Sequence, residues 1–318
     1  MKSSSGKRFA VIGAGFIGQA LICNFLKQGI EVSVLDRHVC SDEFADKVNW
    51  VAGDFQDKHA LSAALKGVSV AYHLVSSTVP GDRHVDVAKE LQENVVGSLH
   101  FIDSCLAAGV KRIVFASSSS VYGLQEHFPI NEMALTNPVS AHGIHKLTLE
   151  KFLLLANHLH GIEVRILRIA NPYGPGQSVL GRQGFVAIAI GSLLQNVPLT
   201  LRDMGRMVRD FIYIDDLADA LVLAGLLDNL PPIMNIGAGK GYKLREVVDV
   251  IEQLLSRQVE TISAEARSVD IPVSVLDIGL AHKLMGFMPA IGLREGIVRT
   301  LQSHGFRLDE LVSRKDTV

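Results

Sequence analysis

The chain has 318 residues, enough for one large domain or two smaller ones around a sizeable core. Its 31 basic and 33 acidic residues leave a formal charge of −2, and no basic block stands out, which argues against a nucleic-acid partner. Three widely spaced cysteines, Cys23, Cys40 and Cys105, suit a reducing compartment and supply neither a disulfide framework nor a metal-ligand set.

The first residues, MKSSSGKRF, are polar, lack an apolar signal core and are expected to fray. The longest uncharged stretch, residues 183–201, contains Gln195, Asn196 and Pro198 and reads as a buried helix and turn rather than a membrane span. A cytoplasmic protein with no membrane partner is expected.

A short apolar strand over residues 8–12 runs into GAGFIG at 13–18, then into a helix through about Gln28 that Gly29 stops. A second strand over 31–35 ends at Asp36. Strand, glycine turn, helix, strand and acid together make the signature of a dinucleotide site. Gly13 permits the tight turn, Gly15 lets backbone approach a pyrophosphate, and Gly18 lets the helix pack on the strand. The pyrophosphate then meets the free N–H groups of the helix start. Asp36 lies about twenty residues after Gly15, the distance for bonding both ribose hydroxyls. Arg37 could hold a 2′-phosphate, but the Asp36 carboxylate would repel that group, so the pair favours NAD over NADP.

A third strand over 48–52 leads to GDFQD at 53–57. Read alone, Asp54 and Phe55 make either a nucleotide contact or an ordinary turn that caps a helix over 59–65. A fourth strand over 70–73 ends at His73, which has no companions at ligand spacing and is expected to be a packed strand-end side chain. A long helix over 87–108, stopped by Gly109, carries Asn94, a polar group that needs a partner. RIVFA at 112–116 is a buried strand that delivers the hydroxyls of Ser117, Ser118, Ser119 and Ser120 to a sheet edge, with VYG following at 121–123. NPVSAHGIHKLTLE at 137–150 opens with Asn-Pro and turns helical, so that Lys146, near the helix start, can face the same spot.

A strand over 163–168 releases NPYGPGQ at 171–177, and a helix is expected over 184–195. Within LRDMGRMVRDFIYIDDLADAL, at 201–221, Asp215 and Asp216 read as the N-cap and first turn of a helix over 217–227. A strand over 232–236, a helix over 244–255 and EARSVDIP at 265–272 complete the chain up to its polar tail. Strands alternating with helices through the first 170 residues indicate an α/β fold, an open, doubly wound parallel Rossmann sheet. The expected division is a dinucleotide-binding domain over 1–171, rejoined by about 210–236, and a smaller substrate-binding domain from 172–209 and 237–318.

These motifs, in this order, resemble the extended short-chain dehydrogenase/reductases, the sugar-nucleotide epimerase and dehydratase family, over about residues 8–300. Two positions depart from the family pattern. Ile12 stands where the family has the first glycine of GxxGxxG, and His142 stands four before Lys146, where the family has its catalytic Tyr. The resemblance implies NAD as cofactor, held by Gly13, Gly15, Phe16, Ile17, Gly18, Asp36 and Arg37. It adds Asp54 and Phe55 around the adenine, and Leu74, Val75 and Ser76 in the 73–80 loop under the ribose and nicotinamide. Asn94 would reach toward the catalytic strand and cofactor, and Lys146 would bond the nicotinamide ribose. Ser118, His142 and Lys146 take the catalytic places, and Ser118, Asn171, Arg209 and Arg267 those that hold a nucleotide sugar, with the Arg209–Asp210 pair and Asp270 near Arg267 matching the family.

The activity so implied is that of an NAD-dependent nucleotide-sugar epimerase of the UDP-sugar 4-epimerase type, passing through a transient 4-keto sugar. A dehydratase or reductase on the same scaffold is one alternative, although Ser119 and Ser120 stand where dehydratase relatives carry Asp and Glu. A catalytically silent binder of NAD or nucleotide sugar is the other, and His142 is what supports it. The resemblance also implies a homodimer built on the helix over 87–108 and the one starting near His142. His145 points elsewhere on that helix and is a poor substitute for the base.

Overall fold

The computed structural model describes residues 7–77, 86–181 and 183–307. In chain order its first half comprises β1 (Phe9–Ile12), α1 (Phe16–Lys27), β2 (Val32–Asp36), β3 (Asn49–Ala52), α2 (Lys58–Ala64), β4 (Val70–His73), α3 (Val87–Leu91), α4 (Gly97–Ala107), β5 (Arg112–Ser118), α5 (Ala141–His160) and β6 (Glu163–Ile169). The second half adds β7 (Asn171–Tyr173), α6 (Phe185–Gln195), β8 (Leu199–Arg202), β9 (Val208–Tyr213), α7 (Ile214–Leu226), β10 (Ile233–Ile236), β11 (Gly241–Lys243), α8 (Leu244–Leu255), β12 (Thr261–Ala264), β13 (Val273–Ser274), α9 (Gly279–Met285) and α10 (Leu293–Ser303).

Seven strands form one parallel sheet in the order β10-β6-β5-β4-β1-β2-β3. Both faces are covered, and the two-residue alternation of each strand shows it. Phe9 and Val11 point into one core with α1 and α7, while Ala10 and Ile12 point into the other with α2, α4 and α5. The strand order reverses between β1 and β4. That is the switch point of a doubly wound sheet, where a crevice opens beyond the carboxyl ends of the strands. A smaller sheet, β11-β9-β13 with β7 on β9, lends residues of β7, β9 and β13 to that crevice, and β12 and β8 form a separate pair.

Three details differ from the sequence expectations. The helix over 87–108 is broken into α3 and α4 by a π-helical stretch, Gln92–Val96, which contains Asn94. Of the segment 210–236, α7 packs on α1 and β10 joins the large sheet, whereas β9 belongs to the small one. Finally, α7 starts at Ile214 with Tyr213 as its N-cap, so neither Asp215 nor Asp216 is the cap. Both lie in the first turn, and Asp216 accepts hydrogen bonds from the backbone N–H of Ala290 and Ile291, fastening the C-terminal segment to α7.

Candidate active site

The glycine turn between β1 and α1 is built as its spacing requires. Gly13 has φ of +99°, which other residues adopt only with strain. A Cβ on Gly18 would collide with the Gly13 carbonyl oxygen, while Gly15 faces open space. Gly15 is also the N-cap of α1 and offers no side-chain acceptor, and the first turn carries no acid. The helix start therefore keeps donors available to an anion.

Asp36 ends β2 and tightens this turn. Its Oδ2 accepts from Ala14 N–H at 2.7 Å and its Oδ1 from His38 N–H at 2.9 Å. Burial opposes its charge, but the N–H donors of His38 and Ala14 prevail and hold the carboxyl below its ordinary range.

The remaining residues carried over for the cofactor divide into two groups. Gly15, Phe16, Ile17, Gly18, Leu74 and Ser76 line a cavity of about 530 Å³ at the switch point. Lys146 lines it too, and the others stand outside its wall. Val75 packs against Gly13, and Arg37 is exposed. Asp54 accepts from Gln56 N–H in a local turn, and Asp57, not Asp54, caps α2. Phe55 packs against Gly97 and edge-on to His73. The Asn94 amide bonds Ser77 N–H at 2.9 Å, Ser77 Oγ at 2.8 Å and Glu90 C=O at 2.9 Å, so within the protein it pins the segment after β4 and not β5. The 73–80 loop beyond Ser77 lies outside the described residues.

His73 is the packed strand-end histidine expected. It is 3% exposed, shares a 2.7 Å hydrogen bond with Ser98 Oγ, and sits among Phe55, Phe101 and Phe115. Burial, reinforced by the Lys146 charge, pushes its pKa down to about 3.

At the other end of the cavity, β5 delivers its serines. Ser118 Oγ accepts from Ser120 N–H at 3.2 Å and from Ser120 Oγ at 2.9 Å. Ser117 instead turns inward to Glu150. The start of α5 lies against this turn, where a Cβ on Gly143 would come 2.6 Å from Ser120 C=O. Ser140 caps α5 by accepting from Gly143 N–H. One helical turn separates His142 from Lys146, so both face the same wall. Lys146 Nζ donates to Ala116 C=O at 2.8 Å and lies 4.8 Å from the Phe115 ring centroid. Burial lowers its pKa to about 8, against the pull of Glu150. Burial first, then Lys146 and His145, push His142 down to about 3. An imidazole so placed is neutral, and it can accept a proton only weakly. His145 is 4% exposed and outside the cavity wall, as its helix position implied.

Asn171, Arg209 and Arg267 line the same cavity. Asn171 donates to Asp210 C=O at 2.9 Å. Arg267 is paired with Asp270, Nη2 to Oδ1 at 2.6 Å. Arg209 differs: its guanidinium donates to Val208 C=O and Met207 Sδ, and no carboxylate among the described residues lies within ion-pair distance. Sequence reasoning missed Ser140, Tyr173, Gln177 and Phe185 as wall residues. Ser140 was legible as a helix cap, and Gln177 lay in the motif 171–177.

A parallel sheet with a glycine turn at its switch point, opening on a cavity shared with a serine–lysine pair, defines a Rossmann-type dinucleotide-binding protein. Residues 10–237 match the NAD dependent epimerase/dehydratase family, and the chain belongs to that family. It is similar to the dTDP-4-dehydro-6-deoxyglucose reductase of Escherichia coli, at 28% identity over 92% of this chain and 95% of the relative. The UDP-glucose 4-epimerase of Thermotoga maritima, solved with UDP-glucose, superposes with a TM-score of 0.86 at 27% identity, covering 94% of this chain and 98% of its own. The UDP-glucose 4-epimerase of Thermus thermophilus, solved with NAD, gives 0.85 at 30% identity, covering 93% and 98%. The cofactor is NAD, and the open space at Gly15 with the uncapped start of α1 fits its pyrophosphate.

Proposed function

We propose that the chain is an NAD-dependent nucleotide-sugar epimerase of the UDP-sugar 4-epimerase type, working through a transient 4-keto sugar. The observation that carries this reading is Arg209: a guanidinium on the cavity wall with no carboxylate of the described residues within ion-pair distance, Asp270 acting on it only from further off, on the same wall as Ser118 and Lys146. A partly buried cation of this kind calls for an anionic ligand, and a planar fork of donors suits a diphosphate. Arg267 and Asn171 would share that diphosphate, and holding it would orient the sugar remotely from the reacting carbon. The UDP-glucose bound by the Thermotoga maritima relative supports UDP as the nucleotide.

Bound NAD would supply a hydride acceptor and donor. Ser118 would hydrogen-bond the reacting hydroxyl and the ketone that replaces it. Lys146 would bond the nicotinamide ribose and contribute positive charge near the base. Ser119 and Ser120 are poor general acids at neutral pH, which disfavours dehydration.

His142 favours a second reading, a silent binder. Its ring nitrogen ends about 2 Å short of where a phenol oxygen would lie, counting bonds near 1.5 Å each. A bridging water or a more deeply seated substrate would close that gap. The epimerase reading accordingly expects slow turnover limited at proton transfer. Exposed Ile144, Phe152, Leu155 and Leu159 share one face of α5, with Val87 and Leu91 exposed on α3, which supports a homodimer formed on these helices.

The test is binding followed by a variant series. UDP, GDP and dTDP sugars are screened for a rise in Tm, and all three failing would sink the nucleotide-sugar assignment. On the sugar that binds, His142→Tyr faster than wild type and His142→Ala dead identifies a weakened base. Wild type and His142→Ala equally dead, with His142→Tyr active, identifies a silent binder. Equal rates in all three would show that His142 is not the base.

A further inference from the structure

Behind the cavity wall lies a buried charge pair that the reading above does not use. Glu150 is 1% exposed and sits one helical turn beyond Lys146 on α5. Its Oε1 accepts the Ser117 hydroxyl from β5 at 2.5 Å. Arg168, on β6 and 3% exposed, donates to Glu150 Oε2 from Nη2 at 2.7 Å and to Oε1 from Nε at 3.1 Å. The Arg168 guanidinium also stacks 4.8 Å over the Tyr122 ring and donates to Glu132 C=O. The protein interior thus occupies its donor fork and covers a planar face.

Lys146 and Glu150 grip consecutive residues of β5: Lys146 takes Ala116 C=O, and Glu150 takes the Ser117 hydroxyl. Ser118 is the next residue. The titratable groups around Lys146 are Glu150 and His142 on its own helix and His73 on β4, with the Phe115 ring on β5 and the Arg168 guanidinium beyond Glu150 on β6. Both histidines are kept neutral by burial, so the carboxylate one helical turn along α5, Glu150, is the acidic group nearest the lysine on its own helix, although its direct partners are Arg168 and Ser117. A lysine this buried sheds its proton readily unless a nearby negative charge opposes the loss.

We infer that Glu150, locked by Arg168, is the positioning residue of this site: it sets the register of α5 against the end of β5 and keeps Lys146 charged at the cavity. The use made of that charge rests on the function proposed above, whereas the charge itself can be read without any substrate. Glu150 is not on the cavity wall and acts through Lys146 and Ser117.

The experiment follows the Lys146 ammonium by NMR on protein with isotopically labelled lysine side chains, the signal being assigned by its loss in Lys146→Met. Glu150→Gln keeps acceptors for Ser117 and Arg168 but removes the charge. Its Lys146 titration is expected to fall by about one pH unit or more relative to wild type. Ser117→Ala, which removes only the hydroxyl tie, should leave that titration in place, and Glu150→Asp should restore most of it. Should Glu150→Gln fail to fold, Glu150→Gln/Arg168→Met removes both charges together and should still lower the titration, by less. A folded variant of either kind in which Lys146 titrates as in wild type overturns the inference, because a purely structural pair would lower Tm without moving the lysine. That failure would leave the nucleotide-sugar reading untouched, since no sugar enters the measurement.

Discussion

Single side chains decide what this site can do, and two of them make separable predictions. Among the described residues Arg209 donates to a backbone carbonyl and a sulfur, and to no carboxylate. A charge-assisted contact to phosphate is worth about 1.5–3 kcal/mol, so Arg209→Ala should weaken UDP binding at least about tenfold by calorimetry. Binding at wild-type strength would remove the diphosphate from this wall. His142 and His73 govern acid stability. Both have folded pKa values near 3 against an ordinary 6.5, so below about pH 6.5 the unfolded chain takes up protons that the folded one refuses. Stability is therefore lost as pH falls from about 6.5 toward 3. Asp210 is pushed up to about 6 by burial and acts in the opposite sense, offsetting part of that loss. Urea unfolding at pH 7 and pH 5 should show the net drop, and His142→Tyr should make it shallower. An equal drop in both proteins would mean that His142 is not held neutral in the fold.

At the scale of elements, α5 is the piece on which the site depends, because it brings His142 and Lys146 to the wall and braces β5. Its seating requires Gly143, since any Cβ there meets Ser120 C=O and Pro138 Cβ at 2.6 and 2.8 Å. Gly143→Ala should push the helix start off the serine turn, lowering Tm and weakening NAD binding together. Unchanged binding would show that the contact can relax. Arg168→Ala leaves the buried Glu150 carboxyl without its guanidinium partner, a change that costs about 3–5 kcal/mol in comparable buried pairs. Far less loss in denaturant unfolding would mean that water reaches the pair.

These elements also show what the sequence could and could not reveal. The glycine turn, the acid ending β2 and the serine-ended β5 rest on local pattern and were legible. Asn94 was marked as needing a partner, but that partner, Ser77, is fixed only by how β4 and α3 come together. Asp216 looked like a cap because its partners, Ala290 and Ile291, are brought to it from more than seventy residues away. Asp270, three residues after Arg267, was legible as its neighbour, but that Arg209 has no ion-paired carboxylate among the described residues depends on tertiary placement.

For the whole molecule, the large sheet with the glycine turn supplies one end of the cavity, and the small sheet with the segment around Arg267 supplies the other. Among the described residues no helix is long and apolar enough to cross a membrane. The apolar face of α5 belongs to this scale. Leu155→Glu with Leu159→Glu should convert a dimer to a monomer in sedimentation, and an unchanged mass would place any interface elsewhere. The most direct test of the nucleotide-sugar reading is to incubate the NAD-loaded chain with UDP-glucose and follow the sugar protons by NMR, wild type beside His142→Tyr. Slow appearance of the C4 epimer with wild type, faster with His142→Tyr, is the expected result. A 6-deoxy-4-keto product, or NAD-loaded protein that changes no UDP-sugar in either form, would contradict it.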